Sequence, residues 1–384
     1  MTRVLFEPGT PQRVPVHLWA RDVNDETVRQ LVSLASQTYV VEHIASMADA
    51  HASDSIPIGT VFATEHAIVP AALGDDLGCG MSAWNVGVRA DELDRSRCEG
   101  IVARFERAIP SAAHRGRGID VPDAVFESAL STQALQHART AIARRHYGTV
   151  GGGNHFVELD RDHDGELWLL VHSGSRGVGG AIAEHYARAV VAGGGARFDA
   201  LDTTTNLGAA CLADCESAFA FAAASRARIA ERALEVIGDV LGCAIEPERI
   251  VDLHHNFVTR ETWRGRDLLV HRKGAIAAPH GSLALVPGSM GTASYLVQGL
   301  GAELAFGSCS HGAGRVMRRS EARTRVSPQR FAHSMRHVVY PSRHARALVE
   351  EAPDAYRDIG TVLDDQRDLV RRVRRLEPIA VWKG

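Results

Sequence analysis

The stretch F-V-E-L-D-R-D-H-D-G-E-L-W-L-L-V-H-S-G (156–174) indicates a fold that contains β-structure. It holds two apolar runs, 156–160 and 167–174, and each is short enough for a strand. The segment between them, R-D-H-D-G, has the composition of a turn. A glycine-rich segment, G-G-G-N-H (151–155), precedes the first run, and His172 lies near the end of the second.

The rest of the chain mixes helical patterns with further strand-like runs. Helices are predicted over 27–48, most of 91–147, 207–242 (the longest) and the Arg-rich segment 348–376. Strands are predicted within 61–90, at 249–256, at 267–275 and in the Gly/Ser-rich region 281–316. Because no linker, repeat or low-complexity block interrupts these patterns, we expect one intertwined α+β domain over residues 1–384.

Composition limits the classes of function. A chain of 384 residues with 45% apolar content is typical of a soluble globular protein. The net charge of −3 excludes a basic field over the whole protein, so nucleic-acid binding would need a local patch. We see neither a run of membrane-span length nor the apolar region of a signal peptide. The six cysteines show no paired framework and are expected to be reduced, which predicts a cytoplasmic protein.

Five polar clusters each follow or adjoin an apolar run, as if strand ends converge on one place. They are D-D-L-G-C-G (75–80), G-G-G-N-H-F-V-E (151–158), V-H-S-G-S-R-G (171–177), D-L-H-H-N (252–256) and S-H-G-A-G-R (310–315). Each cluster alone is a weak signal. A D-x-x-C pair is usually a turn, and a histidine at a strand end is usually just hydrogen-bonded.

Together the clusters supply residue types that bind metal ions. They offer one carboxylate, one thiolate and three imidazoles, from Asp76, Cys79, His155, His172 and His255. A bridging thiolate could serve two ions of a borderline metal such as Mn²⁺, Zn²⁺, Fe²⁺ or Co²⁺. The carboxylate with imidazole favours Mn²⁺ and the thiolate favours Zn²⁺, so the ligand types leave the metal open.

His311 stands between small residues, in S-C-S-H-G-A-G-R (308–315). By itself this pattern suits a metal ligand, an acid–base group or a nucleophile. The glycines within 151–153, 288–291 and 312–314 would let backbone N–H groups approach anionic oxygens, as in phosphate-binding nests.

The clusters resemble those of the RtcB family, RNA ligases that join a 2′,3′-cyclic phosphate or 3′-phosphate end to a 5′-hydroxyl end. The resemblance covers nearly the whole chain, and the motifs occur in the family's order. They are D-x-x-C-G-M (76–81), G-G-G-N-H-F-V-E (151–158), H-S-G-S-R-G (172–177), H-H-N-F (254–257), H-R-K-G-A (271–275), P-G-S-M-G-T-A-S-Y (287–295), S-H-G-A-G-R (310–315) and K-G (383–384). The resemblance implies mixed or antiparallel sheets flanked by helices.

The resemblance also implies roles for individual residues. Asp76, Cys79 and His155 would bind one Mn²⁺, and Cys79, His172 and His255 a second, with Zn, Co or Fe as possible substitutes. His311 would be the nucleophile that takes GMP from GTP. The implied GTP pocket comprises Asn154, His155, Phe156, Val157, Glu158, His255, Asn256, Pro287, Gly288, Ser289, Met290, Ser294, His311, Gly312, Ala313, Gly314, Tyr356 and Lys383. Glu158 would accept from the guanine edge, and Tyr356 would stack on the base.

The implied reaction stores energy first in a P–N bond and then in a pyrophosphate. His311 would form a phosphoramidate with GMP, a 3′-phosphate of RNA would take up the GMP, and a 5′-hydroxyl would then displace it. Arg176, Arg315 and Arg319 are candidate contacts for RNA phosphates. An archease-like protein is a possible activator, and we expect a monomer without membrane association.

Three rival functions remain at this point. A capping enzyme would leave GMP on a 3′-phosphate end without ligation. A metallo-phosphoesterase would use the metals for hydrolysis alone, and it would not need a lone histidine in a glycine cradle. A non-enzymatic RNA-binding relative would not need the complete set of ligands.

Several residues also have plain structural interpretations. Relatives usually carry an apolar residue at position 75, whereas this chain has Asp75. Asp75 would either support the metal-binding residues or be an ordinary turn residue. Cys211, Cys215 and Cys309 are expected to pack in the core. Arg371, Arg372, Arg374 and Arg375 are expected on a helix surface, and Arg318 is a solvated residue or an RNA contact.

Overall fold

The hairpin predicted from residues 156–174 lies at the centre of the larger of two sheets. A computed structural model describes residues 2–6, 9–74, 76–111, 121–194 and 199–383. The hairpin strands span Phe156–Asp162 and Glu166–Ser173, and the turn between them contains Gly165 at a φ of 82°. Asp162 Oδ1 accepts from the backbone N–H groups of residues 164 and 166, which closes the turn. Asp75, the 113–118 loop and Gly384, which the sequence singled out, lie outside the described residues.

The strands of the described residues are β1 (Arg3–Leu5), β2 (Val16–Leu18), β3 (Val41–His51), β4 (Ile58–Thr64), β5 (Ala67–Ile68), β6 (Gly80–Arg89), β7 (Phe156–Asp162), β8 (Glu166–Ser173), β9 (Leu201–Asp202), β10 (Glu248–His254), β11 (Asn256–Trp263), β12 (Arg266–Lys273), β13 (Ala275–Ala277), β14 (Leu283–Val286), β15 (Ser294–Gly299), β16 (Ser308–Ser310) and β17 (Val370–Trp382).

The helices of the same residues are α1 (Asp25–Ala35), α2 (Pro70–Leu73), α3 (Arg95–Ala108), α4 (Gln133–His146), α5 (Val178–Ala192), α6 (Asn206–Leu241), α7 (Arg319–Arg325), α8 (Pro328–Ser334), α9 (Ala345–Leu348) and α10 (Ile359–Asp365). Short 3-10 turns lie at Ala90–Glu92, Asp123–Phe126, Glu303–Ala305, Ser342–His344, Val349–Glu351 and Pro353–Ala355.

Two large sheets carry the fold. One has six strands in the order β1-β2-β3-β4-β12-β11, and the other has seven in the order β10-β6-β8-β7-β17-β15-β14. The pairs β13–β16 and β5–β9 form two small sheets. The pairings are antiparallel except for the parallel pair β2–β3, so the expected α+β class with mixed and antiparallel sheets flanked by helices is confirmed.

The seven-stranded sheet buries both of its faces. One face packs against α3 and α6 in a core that includes Phe105, Leu169, Ile229 and Trp382. On the other face, residues from both edge strands meet in one cluster, for example Val251 of β10 and Leu285 of β14. The sheet is therefore strongly curled, as the twist of antiparallel sheets allows.

The long helix α6 confirms the prediction over 207–242. Thr205 caps its first turn by accepting from Gly208 N, and Gly242 ends it in the left-handed region at a φ of 68°. We expected no run of membrane-span length, yet α6 is long and apolar enough to cross a membrane by composition. In the structure it packs within the core instead, and its Arg226 is fully buried in an ion pair with Asp252.

Two helix predictions are wrong in part. The helix predicted over 27–48 ends at Ala35, and residues 41–51 form β3, which is buried on both faces. Such a strand lacks alternation, so its apolar run cannot be told from a helix by periodicity. The helix predicted over 348–376 is replaced by short turns, α10 and the start of β17.

The arginines at 371, 372, 374 and 375 therefore lie on a strand and not on a helix surface. β17 pairs with β7 on one side and β15 on the other, and these ladder hydrogen bonds override the high helix propensity of arginine. The packing predictions for three cysteines are confirmed, because Cys211, Cys215 and Cys309 are fully buried.

Substitution of Gly80 tests the tight pairing of β6 with β10. An added Cβ would lie 2.3 Å from Leu253 O and 3.0 Å from His254 Cα. We expect Gly80→Ala to lower the free energy of unfolding by about 1–3 kcal/mol in urea titrations followed by circular dichroism. Gly100→Ala is the control, because its Cβ would meet no atom within 4 Å and α3 should gain up to about 1 kcal/mol. Equal stabilities of the two variants would contradict this account.

Candidate functional site

Four of the five polar clusters meet at one edge of the seven-stranded sheet. β6 and β7 begin at this edge and β8 and β10 end there, because neighbouring strands are antiparallel. β17 ends at the same edge and brings Lys383 there. The fifth cluster follows β16, whose partner β13 starts at Ala275, hydrogen-bonded to His255 O. The expected convergence of strand ends is confirmed.

One group of potential metal ligands consists of Asp76, Cys79 and His155, whose ligand atoms all lie within 4.8 Å of one another. His155 Nε2 is 2.8 Å from Asp76 Oδ2 and 3.2 Å from Cys79 Sγ. Although burial opposes it, contact with His155 and Arg176 lowers the pKa of the Asp76 carboxyl. Asp76 is thus an anion at the mouth of the cluster.

The second group consists of Cys79, His172 and His255, and all three are buried. His172 Nε2 lies 3.3 Å from Cys79 Sγ, while its Nδ1 lies 3.0 Å from Asn154 O. A carbonyl oxygen that accepts from Nδ1 keeps the ring proton on that nitrogen, so Nε2 is free to bind a metal. His255 Nδ1 is buried without a hydrogen-bond partner among the described residues.

The protonation states of the second group suit metal ligands. Burial, and then the neighbouring histidines, lower the pKa values of His172 and His255 well below the usual value, so both imidazoles are neutral. Burial and Asp76 raise the pKa of the Cys79 thiol well above its usual value. A thiol in this environment becomes a thiolate when a cation replaces its proton. The residues present therefore fit a metal centre with one shared sulfur.

Arg226 of α6 supports the cluster from behind. Its NH1 donates to Gly78 O at 3.1 Å and to Ser173 O at 3.3 Å, and its Nε donates to Asp252 Oδ1 at 2.7 Å. These contacts tie the Cys79 loop to the ends of β8 and β10. Sequence reasoning missed Arg226, since it lies within a long helical pattern and not in a polar cluster.

His311 lies beside the metal-type cluster but belongs to neither group of ligands. Its ring centre is 5.0 Å from that of His255, and its Nδ1 is 2.7 Å from Asp49 Oδ2. The backbone N–H groups of His311 and Gly312 donate to the same Asp49 oxygen at 3.1 and 3.2 Å. A carboxylate at this place favours the proton on Nδ1, which leaves Nε2 with a free lone pair.

Asp49 was also missed by sequence reasoning. It is fully buried on β3, in the segment M-A-D-A-H (47–51). Although burial opposes it, His311, followed by His51 and Arg357, lowers the pKa of Asp49. The available signal was a charged residue inside an otherwise apolar run, which marks a buried charge that needs partners.

A cavity of about 180 Å³ opens next to His311. Most of the predicted pocket residues line it, namely Asn154, Phe156, Glu158, Pro287, Gly288, Ser289, Met290, Ser294, His311, Gly312, Ala313, Gly314, Tyr356 and Lys383. His51, Ile58, His172, Arg315, Arg319 and Glu351 line it as well and were not predicted for this role.

Four predicted pocket residues do not line the cavity. Val157 is fully buried in the core beneath α3 and α6. Asn256 uses its amide to bind Asp76 O and Gly274 N, at 3.3 and 2.8 Å, which braces the metal-type cluster. His155 and His255 lie within the metal-type cluster itself.

At one side of the cavity an ionic cluster surrounds Glu351. This buried carboxylate lies 3.5 Å from Lys383 Nζ and 3.2 Å from Arg315 NH1, and it accepts from Arg319 Nε at 3.0 Å. Tyr356 also donates its hydroxyl proton to Glu351. Although burial opposes it, these cations, Lys383 first, lower the pKa of Glu351 to about 2.

The three predicted RNA contacts lie around this site. Arg315 and Arg319 are held by Glu351, as described above. Arg176 donates to His155 Nδ1 at 3.1 Å and to Thr149 Oγ1 at 3.2 Å. Arg318 is 80% exposed and pairs with Glu26, so it sits on the surface and apart from the cavity.

Fold and site together define an α+β protein with a candidate two-metal centre beside a cavity that holds a separate histidine. Comparison with known proteins then supplies the family. The family model described as tRNA-splicing ligase RtcB matches residues 30–139 and 129–384, and the chain belongs to the RtcB family. The resemblance seen in the motifs is confirmed.

Curated relatives align over almost their whole length. The RNA-splicing ligase RtcB of Escherichia coli K12 is 32% identical over 415 residues, covering 99% of this chain and all of the relative. The RNA-splicing ligase RtcB of Mycobacterium tuberculosis H37Rv is 28% identical, covering 92% of this chain and all of the relative. The tRNA-splicing ligase RtcB of Nanoarchaeum equitans is 27% identical, covering 97% and 95%.

The shared sulfur gives a test of the metal centre. Cys79 belongs to both groups of ligands and Asp76 to only one. We expect the wild type, incubated with Mn²⁺ and desalted, to retain two ions per chain by mass spectrometry. Asp76→Asn should retain about one ion, and Cys79→Ala close to none. Cys98→Ser, at a buried cysteine on α3, is the control and should match the wild type. Equal losses in Asp76→Asn and Cys79→Ala would contradict a bridging role for the sulfur.

Proposed function

We propose that this protein is a GTP- and manganese-dependent RNA ligase that joins 2′,3′-cyclic phosphate or 3′-phosphate ends to 5′-hydroxyl ends. The observation that carries the proposal is the position of His311. It lines the cavity, stands outside both groups of metal ligands and has its Nδ1 at Asp49. The relatives named as RNA-splicing or tRNA-splicing ligases support the substrate class.

His311 acts as the nucleophile in the first step. Its Nε2 lone pair forms a bond with the α-phosphorus of GTP, while the bond to the bridging oxygen breaks and pyrophosphate leaves. Asp49 keeps the proton on Nδ1 and stabilises the positive charge that the ring gains in this step. The backbone of residues 312–314 borders the cavity beside the ring and provides room for the phosphate.

Two further displacements complete the reaction. An oxygen of the RNA 3′-phosphate attacks the phosphorus bonded to His311, and the P–N bond breaks to give RNA(3′)pp(5′)G. The RNA 5′-hydroxyl then attacks the 3′-phosphate, the pyrophosphate bond breaks, and GMP leaves. A 2′,3′-cyclic end first adds water to become a 3′-phosphate.

The metal ions would be held by Asp76, Cys79 and His155 on one side and by Cys79, His172 and His255 on the other. When bound, they supply charge that polarises phosphate oxygens and stabilises the leaving group. Two neutral imidazoles and a buried thiol support this assignment. The carboxylate supports Mn²⁺, and Zn, Co or Fe are alternatives.

The nucleobase occupies the side of the cavity that contains Glu158 and Lys383. Glu158 would accept from the guanine N–H groups, and the rings of Phe156 and Tyr356 border the same space. The backbone N–H of Ser289 donates to Thr292 Oγ1 at 2.7 Å. The loop that contains Ser289 is therefore held in shape by its own contacts.

Arg176 is the proposed phosphate contact nearest the metals. It now donates to His155 Nδ1, so the ring proton of His155 lies on Nε2, toward Asp76. To contact an RNA phosphate, Arg176 would have to give up its hydrogen bond to His155, and Arg315 and Arg319 would need to leave Glu351. We place the protein in the cytoplasm as a monomer, with an archease-like activator as a possible partner.

The central prediction concerns a covalent adduct. Wild-type protein incubated with Mn²⁺ and GTP labelled at the α-phosphorus should carry label that survives denaturation and is released by acid, as expected for a P–N bond. His311→Ala should carry none. His163→Ala, at an exposed histidine of the β7–β8 turn, should be labelled like the wild type.

The proposed chemistry would be refuted if His311→Ala carried label, or if the wild type carried none. Addition of RNA with 3′-phosphate and 5′-hydroxyl ends to the labelled wild type should then give joined RNA and free GMP. An RNA product that keeps GMP at its 3′ end would indicate a capping enzyme, and release of phosphate alone would indicate a phosphoesterase.

Substitution of Asp49 tests how His311 is oriented. Asp49→Asn keeps the shape of the side chain but removes its charge, so the wrong tautomer and the uncompensated imidazolium should slow adduct formation by roughly 10²–10⁴-fold. Asp214→Asn is the matched control, because Asp214 is also buried but bonds to Ser131 and Tyr186. Single-turnover labelling rates measure the effect. A wild-type rate in Asp49→Asn would remove Asp49 from the mechanism.

A further inference from the structure

Three acidic residues alternate along β7 on the face that lines the cavity and the inner core. Glu158 borders the cavity, Asp160 comes next, and Asp162 lies at the hairpin turn. Asp162 is well satisfied, since it accepts from two backbone N–H groups, from Trp168 Nε1 and from Arg374. Asp160 differs from Asp162 in its hydrogen bonding.

Asp160 is fully buried, and neither carboxyl oxygen has a hydrogen-bond partner among the described residues. Its neighbours across the sheet are Trp168 on β8 and Pro378 on β17. The Trp168 indole already donates to Asp162, and the surrounding face carries leucines such as Leu296 and Leu376. An ionised Asp160 would thus be a buried charge with no cation beside it.

The charged groups around the pair lie on the side of Glu158. Lys383, just after β17, attracts Glu158, but it is also held by Glu351 at 3.5 Å. Arg374 lies over the Trp168 ring and is committed to Asp162 and Asp164. No other charged group of the described residues acts on Asp160, so the two carboxyl groups have to satisfy each other.

We propose that Glu158 and Asp160 share one proton, which Asp160 holds and donates to Glu158, and that Asp160 thereby positions Glu158 as the acceptor for the guanine base. This inference rests on the proposed function. Asp160 does not line the cavity, so it is a positioning residue and not a contact of the nucleotide.

The proton resolves a conflict between burial and recognition. Glu158 must be ionised to accept from guanine N–H groups, yet two adjacent buried carboxylates repel each other. With the proton on Asp160, one oxygen of Glu158 receives a hydrogen bond from behind, and the carboxylate stays fixed toward the cavity. Burial raises the pKa of both carboxyl groups, that of Asp160 to about 8. Lys383 attracts the charged form of Glu158 and does not act on Asp160, so the proton of the pair lies on Asp160. The pair therefore retains a proton at neutral pH.

An asparagine at position 160 tests the proposal, because its amide is a permanent donor that cannot lose a proton. The dissociation constant of GTP is measured by calorimetry on the full-length, manganese-loaded protein from pH 6.5 to 9. In the wild type, affinity should fall by up to roughly tenfold between pH 8 and pH 9, as the binding-competent protonated pair is depleted. Asp160→Asn should bind like the wild type at pH 7 and show little of this fall.

Asp160→Leu removes the donor but fills the buried space. It should weaken GTP binding by roughly tenfold at pH 7, the effect of one lost hydrogen bond to a charged group. The inference is overturned if Asp160→Asn loses affinity above pH 8 as the wild type does, or if Asp160→Leu binds GTP with unchanged affinity.

Thermal unfolding gives a second measure that does not need the nucleotide. A group whose pKa is raised by folding contributes stability at low pH that is lost as pH rises through the folded value. The melting temperature of the wild type should therefore fall from about pH 5 to about pH 8 more steeply than that of Asp160→Asn. Parallel curves would also overturn the inference. Failure of the wild type to bind GTP at any pH would instead refute the proposed function.

Discussion

The antiparallel alternation of β10, β6, β8 and β7 is the constraint on which the site depends. It places two strand starts and two strand ends at one sheet edge, and Gly80 pairs with both Ser173 and His254 there. A shift of one residue would turn every side chain of a strand to the opposite face, so register alone decides whether His172 faces Cys79. Arg226 fixes that register from behind through two backbone carbonyls. The metal-type cluster is therefore set by the ends of the strands: His172 lies on β8, and Asp76, Cys79, His155 and His255 lie in the short segments that adjoin β6, β7 and β10.

The same edge separates two electrostatic environments. Around Cys79 the groups are mainly neutral, because burial disfavours charge on His172 and His255. Around Glu351 positive charge is in excess, since Lys383, Arg315 and Arg319 all contact one carboxylate. An anionic ligand that approached these side chains would compete with Glu351 for them.

Much of this arrangement could be predicted from the sequence, because strand ends followed by polar residues carry a local signal. Helix α6 was predicted from its long Ala-rich helical pattern, and the hairpin at 156–174 from two short apolar runs around a turn. β3 and β17 were not, since a strand buried on both faces and an arginine-rich strand lack alternation. Asp49 and Arg226 belong to no recognisable sequence motif, because each contacts a residue that is far away in the sequence. Their roles follow only from tertiary contacts.

The position of His311 also bears on the roles that its motif left open, and it supports the proposed role as a nucleophile. His311 belongs to neither group of ligand atoms, although its ring centre lies 5.0 Å from that of His255. Its Nδ1 lies 2.7 Å from Asp49 Oδ2, and the backbone N–H groups of residues 311 and 312 hold that carboxylate in place. A fixed imidazole with one free nitrogen gains most when that nitrogen bonds to phosphorus, since the charge it acquires already faces a buried carboxylate.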